Sequence, residues 1–502
     1  MAARKGLVRL ARLACVLAAL GYGGWYAYDE LFKPGEIKRR VVEELSARFE
    51  GVDVEVGHAR LRPFLGGVNV SDLKLIRRDD PTRTPFLHVP HAVIWYDKAD
   101  FANRLKPAKI ELEDATLRVV REPSGKWNLD GVARPTPEGE QAPVFVLRKA
   151  HVEVIDGKTG SSAVLDLQEM DLTVVNDPVT TYTFEARGKS VPIGPFHARG
   201  KFEKGVGAAG TLDLGSIALG ERLAQLVGLA APEAVEPLRN VSGTASCRTR
   251  WTWRPERQPA VSYETDFDLR DGRCTGPNLP APLEQLAVKA HVKDGELTVE
   301  SLTGRVGDSG LLVKLELDAP KPEPGANLVC VSPVDIEERL RRLEVTLTDL
   351  KVGPELFDRL PPRFAEVREM FAPVGLADAT YEQRRDKGVL RKKCVFRPKG
   401  MTATYRGFPY PTDHIRGTVE ATMDDDAAPH YAVDLVGEGG GKAVTLKGHV
   451  VGGPEREVDL VLTGSNIVLD KTLIDALPDE YPALMRSLRG SLRGSRLLSQ
   501  SP

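Results

Sequence analysis

The chain has 502 residues, with 69 Lys and Arg against 71 Asp and Glu and a formal net charge of −2. That balance leaves no footprint for nucleic acid, and no block of like charge marks a polyelectrolyte partner. Its 47 Gly and 36 Pro fit a chain with many turns without reaching a disordered composition, and five Cys in this length exclude a disulfide scaffold. The length allows about three domains or one long repetitive architecture.

Residues 1–12 carry Arg4, Lys5, Arg9 and Arg12, and 13–28 form an uncharged, mostly apolar run closed by Asp29 and Glu30. Leu13, Val16, Leu17 and Leu20 are its apolar body. Trp25 and Tyr26 suit the far interface, while Arg9 and Arg12 can snorkel at the near one. The charge bias puts the N-terminus in the cytoplasm and everything after Asp29 across the membrane. A cleaved leader is the rival reading. No A-x-A-type site follows the run, and aromatic residues sit where cleavage would fall, which favours an uncleaved anchor. Cys15 is no lipoprotein site, because Arg12 interrupts the apolar stretch before it.

Pro34 and Gly35 open an amphipathic linking helix over 34–50, with Ile37, Val41, Leu45 and Phe49 on one face. Gly51 ends it, and the period then changes to two. Val52-Asp53-Val54-Glu55-Val56, Val68-Asn69-Val70 and Leu73-Lys74-Leu75 begin a long series of alternating strands. Helical stretches are predicted at about Glu221 to Arg239, Pro354 to Phe371 and Lys471 to Arg489. They punctuate a repeat in which Leu356 to Pro361 is matched by Leu473 to Pro478, and the turn Val306 to Gly310 by Val436 to Gly440. The expected organisation is a β region over 51–200, repeat units with inserted helices over 201–376, a further unit over 377–489 and a basic tail over 490–502. The sequence stops where its repeat calls for another sheet segment, the pattern of a truncated chain or of one whose edge a partner covers.

Chemistry is sparse. Gly437 to Ala443 lacks the spacing and the Ser or Thr of a phosphate loop, so it reads as a hairpin turn. His88 and His91 have no acidic or Cys partner at a metal-ligand interval and read as loop or strand-edge histidines. Asp424-Asp425-Asp426 lacks the Gly and closing Glu of a calcium loop. Cys247, Cys274, Cys330 and Cys394 read as isolated buried thiols rather than as disulfides or zinc ligands. No Gly-x-Ser-x-Gly elbow is present. Neither catalysis, nor a cofactor, nor a metal is expected.

From residue 1 to about 132 the order of features resembles the AsmA-like family, of the AsmA and TamB type. The matching segments are Leu45 to Gly57, Gly67 to Leu75, Phe86 to Pro90, Lys109 to Leu112, Thr116 to Val119 and Gly125 to Leu129, whose Gly-x-Trp-Asn turn is the most specific. The resemblance continues diffusely beyond that point. It implies a mainly β fold: an inner-membrane helix followed by an elongated, curled, repetitive antiparallel sheet in the periplasm with a few short helices. It also implies a groove that binds or guides phospholipid between membranes or supports outer-membrane and envelope biogenesis. The partners would be membrane lipids, the inner membrane and outer-membrane assembly proteins. The alternative is a non-enzymatic periplasmic scaffold for targeting or assembling outer-membrane proteins. Val52, Val54, Val56, Val68, Val70, Leu73 and Leu75 are the expected lipid-facing lining, where charges at Val68 and Val70 should block lipid without unfolding the chain. For the anchor, the protein extracted from membranes should show the intact mass of the full chain; a mass lacking the first 28 or so residues would identify a cleaved leader.

Overall fold

The computed structural model describes residues 34–477 and 495–498, apart from 63–65, 97–106, 133–140, 158–162, 229–234, 277–278, 280, 322–328, 330–335, 359, 361–363, 387, 426, 454–456 and 469. The anchor expected at Leu13, Val16, Leu17, Leu20, Trp25 and Tyr26 lies outside the described residues. So do Cys15, Cys330 and the helix expected beyond Leu477. Among the described residues no helix is long and apolar enough to cross a membrane. The protein is mainly β and divides into two compact units, one of 1–218, 222–235 and 252–254, the other of the remainder.

The first unit opens with helix α1 (Pro34–Arg48), whose first residue suits a helix start because its missing N–H would be unsatisfied there anyway. Ile37 and Val41 are buried against β1 (Val52–Arg62), β2 (Gly67–Arg77) and β3 (Leu87–Tyr96), while Leu45 and Phe49 pack at the margin. The solvent side of α1 carries Arg39 bridged to Glu36 and Glu43, and Arg48 to Glu44. The runs around Val70 and Leu73, separate in the sequence, are one strand. Inward positions change parity between Val56 and Ala59 in β1, and between Val70 and Leu73 in β2, yet all four residues are buried. Asp72, in the left-handed region at φ 54°, marks the change, and Gly57 lies opposite. A Cβ on Gly57 would sit 3.0 Å from Cβ of Asp72, so the close pairing favours glycine.

The sheet is not antiparallel throughout, as the sequence led one to expect. β4 (Pro107–Glu113) and β5 (Thr116–Arg121) are two halves of an interrupted strand, both antiparallel to β3 and both parallel to β6 (Val144–Asp156). A parallel step needs a crossover. This one contains the Gly-x-Trp-Asn turn, and Asn128 holds it to β5: its Oδ1 accepts from the Val120 amide at 2.8 Å, and its Nδ2 donates to Arg118 O at 2.8 Å. β7 (Ala163–Asn176), β8 (Thr181–Val191), β9 (Gly194–Glu203) and β10 (Gly207–Leu219) then follow as an antiparallel meander.

After β10, the described residues of the helical stretch expected from Glu221 to Arg239 form α2 (Glu221–Gly228) and α3 (Val235–Arg239), before β11 (Val241–Trp253). The second unit continues with β12 (Val261–Cys274), β13 (Leu283–Lys293), β14 (Glu296–Val306) and β15 (Ser309–Leu317), then α4 (Ile336–Arg339) leading directly into β16 (Leu340–Val352). The stretch expected from Pro354 to Phe371 is likewise split, into α5 (Pro354–Phe357) and α6 (Ala365–Phe371). Pro361 and Pro362, which cannot continue a helix, lie between them in sequence. β17 (Gly375–Asp386), β18 (Val389–Tyr405), β19 (Phe408–Asp424), β20 (His430–Gly439), β21 (Lys442–Val451) and β22 (Glu457–Gly464) follow, then α7 (Lys471–Ala476) and β23 (Ser495–Leu498). From β12 to β23 every pairing is antiparallel between consecutive strands. The turn at 307–308 and the Gly440-Gly441 turn (φ 58° and 73°) are both two-residue hairpin loops. The repeat is therefore displaced: Val306 corresponds in structure to Gly439, not Val436.

Beneath α1, Tyr96 packs against the core, and burial pushes its hydroxyl up to about 12, with Glu44 adding to the rise. The folded state thus holds this proton more tightly than the unfolded chain. Its contribution is complete below the ordinary tyrosine value and is lost as pH climbs toward 12. A spectrophotometric titration should show a phase in which the Tyr96 phenol resists ionisation up to about pH 12. Tyr96→Phe should abolish that phase and flatten the alkaline fall in stability.

Candidate functional site, a half-covered apolar sheet face

The two units dispose of their apolar faces differently. In the first, the seven residues expected to line a groove converge on one packed cluster. Val52, Val56, Val68, Val70, Leu73 and Leu75 are buried, Val70 at 1% and Leu75 at 2% exposure, and Val54 packs at the edge. Ile37 and Val41 of α1 belong to the same cluster, with Val89, Ala92 and Leu112. Protein side chains, not an open surface, surround these positions. A charge at Val68 or Val70 would enter a dry core and unfold it, contrary to the expectation from sequence.

In the second unit the strand registers align a long apolar face. One row runs Leu269, Val288, Leu302, Val313, Val345, Tyr381, Cys394, Ala421, Tyr431, Val450 and Val458, each opposite the next across adjacent strands. A parallel row runs Leu311, Leu347, Ala379, Phe396, Val419 and Val433. Bulges keep this face continuous. At Asp349 (φ 55°) the inward parity shifts from Leu347 to Leu350, and the displaced Asp349 amide donates to Asp378 Oδ1 at 3.0 Å. Asp271, Gln285 and His414 adopt the same left-handed conformation within their strands.

Mid-strand residues of this face are half-buried. Val288, Leu302, Val313 and Val345 fall in that class, Tyr431 and Val458 are 37% and 39% exposed, and Cys394 is exposed. Full burial is reached near strand ends, at Leu317 and Leu340 on one side. On the other, Val352, Ala377 and Met401 pack beneath Leu356 and Phe357 of α5. In-sheet neighbours shield such side chains laterally, and the remaining exposure reflects the lack of a second layer among the described residues. From β12 to β22 the face extends about 50 Å at about 4.8 Å per strand, and the apolar run from Leu311 to Leu317 is about 20 Å wide.

The opposite face is wet and paired. Lys314 meets Glu344 at 3.7 Å, Arg342 meets Glu344 at 3.1 Å, and Lys393 meets Glu420 at 2.7 Å. Lys447 meets Asp434 at 3.1 Å and His291 meets Asp266 at 2.9 Å. Lys399, between Asp378 and Asp349, has its ammonium pKa raised by their hydrogen bonds, and it lowers that of Asp378 in return. Exposed pairs of this kind add little stability individually. They do fix which face is polar.

The remaining chemical candidates resolve into structural roles. His88 and His91 lie within β3, which is paired on both sides, rather than in a loop or at an edge. His88 contacts Asp72 at 3.0 Å. Asp425 receives the Leu390 amide at 2.8 Å, and Asp424 lies 3.8 Å from Arg391. Among the described residues no group of three or more His, Cys, Asp or Glu is placed to hold a metal ion. Cys247 and Cys274 are half-buried; Cys394, expected to be buried, is exposed, its strand face having no covering layer among the described residues. Compared with known protein families, curated proteins and solved structures, the chain has no match.

Apolar surroundings push the Cys394 thiol above its ordinary pKa. Its reaction with maleimide should therefore keep accelerating above pH 9, where an unperturbed thiol levels off, and Cys394→Ser should remove that phase.

Proposed function

We propose that this chain is a non-enzymatic, inner-membrane-anchored protein of AsmA-like character, with its body in the periplasm. It binds or guides phospholipid between membranes, or in outer-membrane and envelope biogenesis. The observation that carries this reading is the apolar face of β12 to β22, with its row of half-buried Val, Leu and Tyr side chains. A lipid tail crossing water exposes about 0.8 kcal/mol per CH₂, and a surface of this kind shields it without precise chemistry. One tail occupies about half of a 30 Å bilayer core, within the roughly 20 Å width of the face. The groove lining accordingly belongs to the second unit. The dry interior beneath α1 favours the scaffold reading for residues 34–132 alone, where the sheet has a protein cover.

Val313 and Val345 oppose each other in the middle of the face. Val313→Asp with Val345→Asp should remove co-purifying phospholipid, read by native mass spectrometry with lipid extraction, and leave the unfolding of the first unit unchanged. Lipid retained at the wild-type level by a folded double variant would refute a hydrophobic conduit here. A lipid-free, monodisperse wild-type protein would support the scaffold.

A further inference from the structure

The apolar face of the second unit carries two neighbouring cations at one end. In β17, Tyr381, Gln383 and Arg385 alternate onto this face, and in β18 Leu390, Lys392 and Cys394 oppose them as Arg385–Leu390, Gln383–Lys392 and Tyr381–Cys394. Arg385 and Lys392 are thus diagonal neighbours, within reach of one another's long side chains. Leu343 and Met423 flank them across the next strands. They stand at the strand ends away from α5, which closes the other end over Val352, Ala377 and Met401.

These cations differ from those on the wet face, where Lys314, Arg342, Lys393, Arg391 and Lys447 each meet a carboxylate. Among the described residues Lys392 has no ion pair. Arg385 donates one hydrogen bond, from Nη2 to Glu337 O of α4 at 3.0 Å, and its buried Nε has no partner. Tyr381 donates its hydroxyl to Gln383 Oε1 at 2.7 Å, which fixes a neutral polar group beside the pair. Both cations are half-buried. An ammonium held next to apolar surface with no counterion is a poor choice for stability alone. It is suited to an anion that brings apolar bulk with it.

We infer that Arg385 and Lys392 form a headgroup site for the phosphate of a glycerophospholipid whose acyl chains lie over Tyr381, Phe396 and the rows beside them. The inference rests on the lipid-guiding reading and adds the headgroup chemistry to it. The arginine supplies a fork of donors, the lysine a mobile point charge, and the phosphate oxygens accept from both. The face then discriminates by charge at its rim and by hydrophobicity along its length.

The test uses the full chain in mild detergent with vesicles containing phosphatidylglycerol and tail-matched diacylglycerol, which lacks phosphate. Bound lipids are read by native mass spectrometry and extraction. The wild type should enrich phosphatidylglycerol about tenfold over diacylglycerol, from roughly a factor of several per cation. Lys392→Gln, at a side chain with no ion pair among the described residues, should bring the ratio toward parity with diacylglycerol uptake unchanged, and Lys392→Arg should restore it. Arg385→Gln should act in the same direction, with thermal unfolding checked because its α4 contact is lost. Binding of both lipids without preference by the wild type, or a preference that survives Lys392→Gln, would overturn the headgroup site and leave the lipid-guiding reading standing. Loss of both lipids in a folded Lys392→Gln protein would also overturn it, by making the lysine a support of the face. Displacement of phosphatidylglycerol by inorganic phosphate would reduce the pair to a plain anion site. No lipid on the wild type would remove both readings together.

Discussion

A β-sheet satisfies its backbone through neighbouring strands, but it cannot cover its own faces. The rest of this structure depends on how that deficit is met. In the first unit α1 lies over β1 to β3, and the apolar side chains beneath it reach near-complete burial. In the second, antiparallel hydrogen bonding carries the strands from β12 onward, while the apolar face between the strand ends stays half-covered. Each exposed methylene there has a cost in water, so the arrangement persists because backbone pairing, lateral packing and buried strand ends hold it. Among the described residues that face remains the least covered apolar surface of the second unit.

The bulges are what allow such a face to be long. A strict period of two would bring each strand back to a single parity, and strands of up to 17 residues would twist their apolar sets out of line. A left-handed residue such as Asp72 or Asp349 absorbs one position and turns the following residues back to the same side. The amide it displaces is recaptured by an aspartate on the next strand, as Asp378 does for Asp349. These aspartates and their lysine partner look like surface charge in sequence. In the structure they terminate one stretch of ladder and start the next.

Much of this was legible beforehand, and the gaps have physical causes. The four-residue spacing of Ile37, Val41, Leu45 and Phe49 located α1, and alternation located the cores of β1 and β2. The same alternation could not show which apolar sets were covered, because Val68 and Val313 have the same pattern. Coverage is decided by α1, whose docking is a tertiary event. Parity changes at Asp72 and Asp349 were invisible, since aspartate in a strand-like run does not announce a left-handed conformation. The parallel junction at β6 was missed for a similar reason: parallel and antiparallel partners share one residue pattern when a strand is paired on both sides. Arg385 and Lys392 were passed over among the charges of Arg384 to Lys393, where only the register separates the wet face from the apolar one.

Within the second unit, each strand from β13 onward finds its partner in the strand made just before it. No segment must wait for a distant one, so contacts are short in sequence and loop-closure costs are small. Such a sheet can zip from its N-terminal side while later residues are still being delivered, each finished strand serving as the template for the next. The junction at β4 to β6 is the exception, because a parallel partner forms only after a crossover has been threaded. Order of arrival, rather than collapse around a centre, would then govern how this sheet is built, and the apolar face would grow one strand at a time.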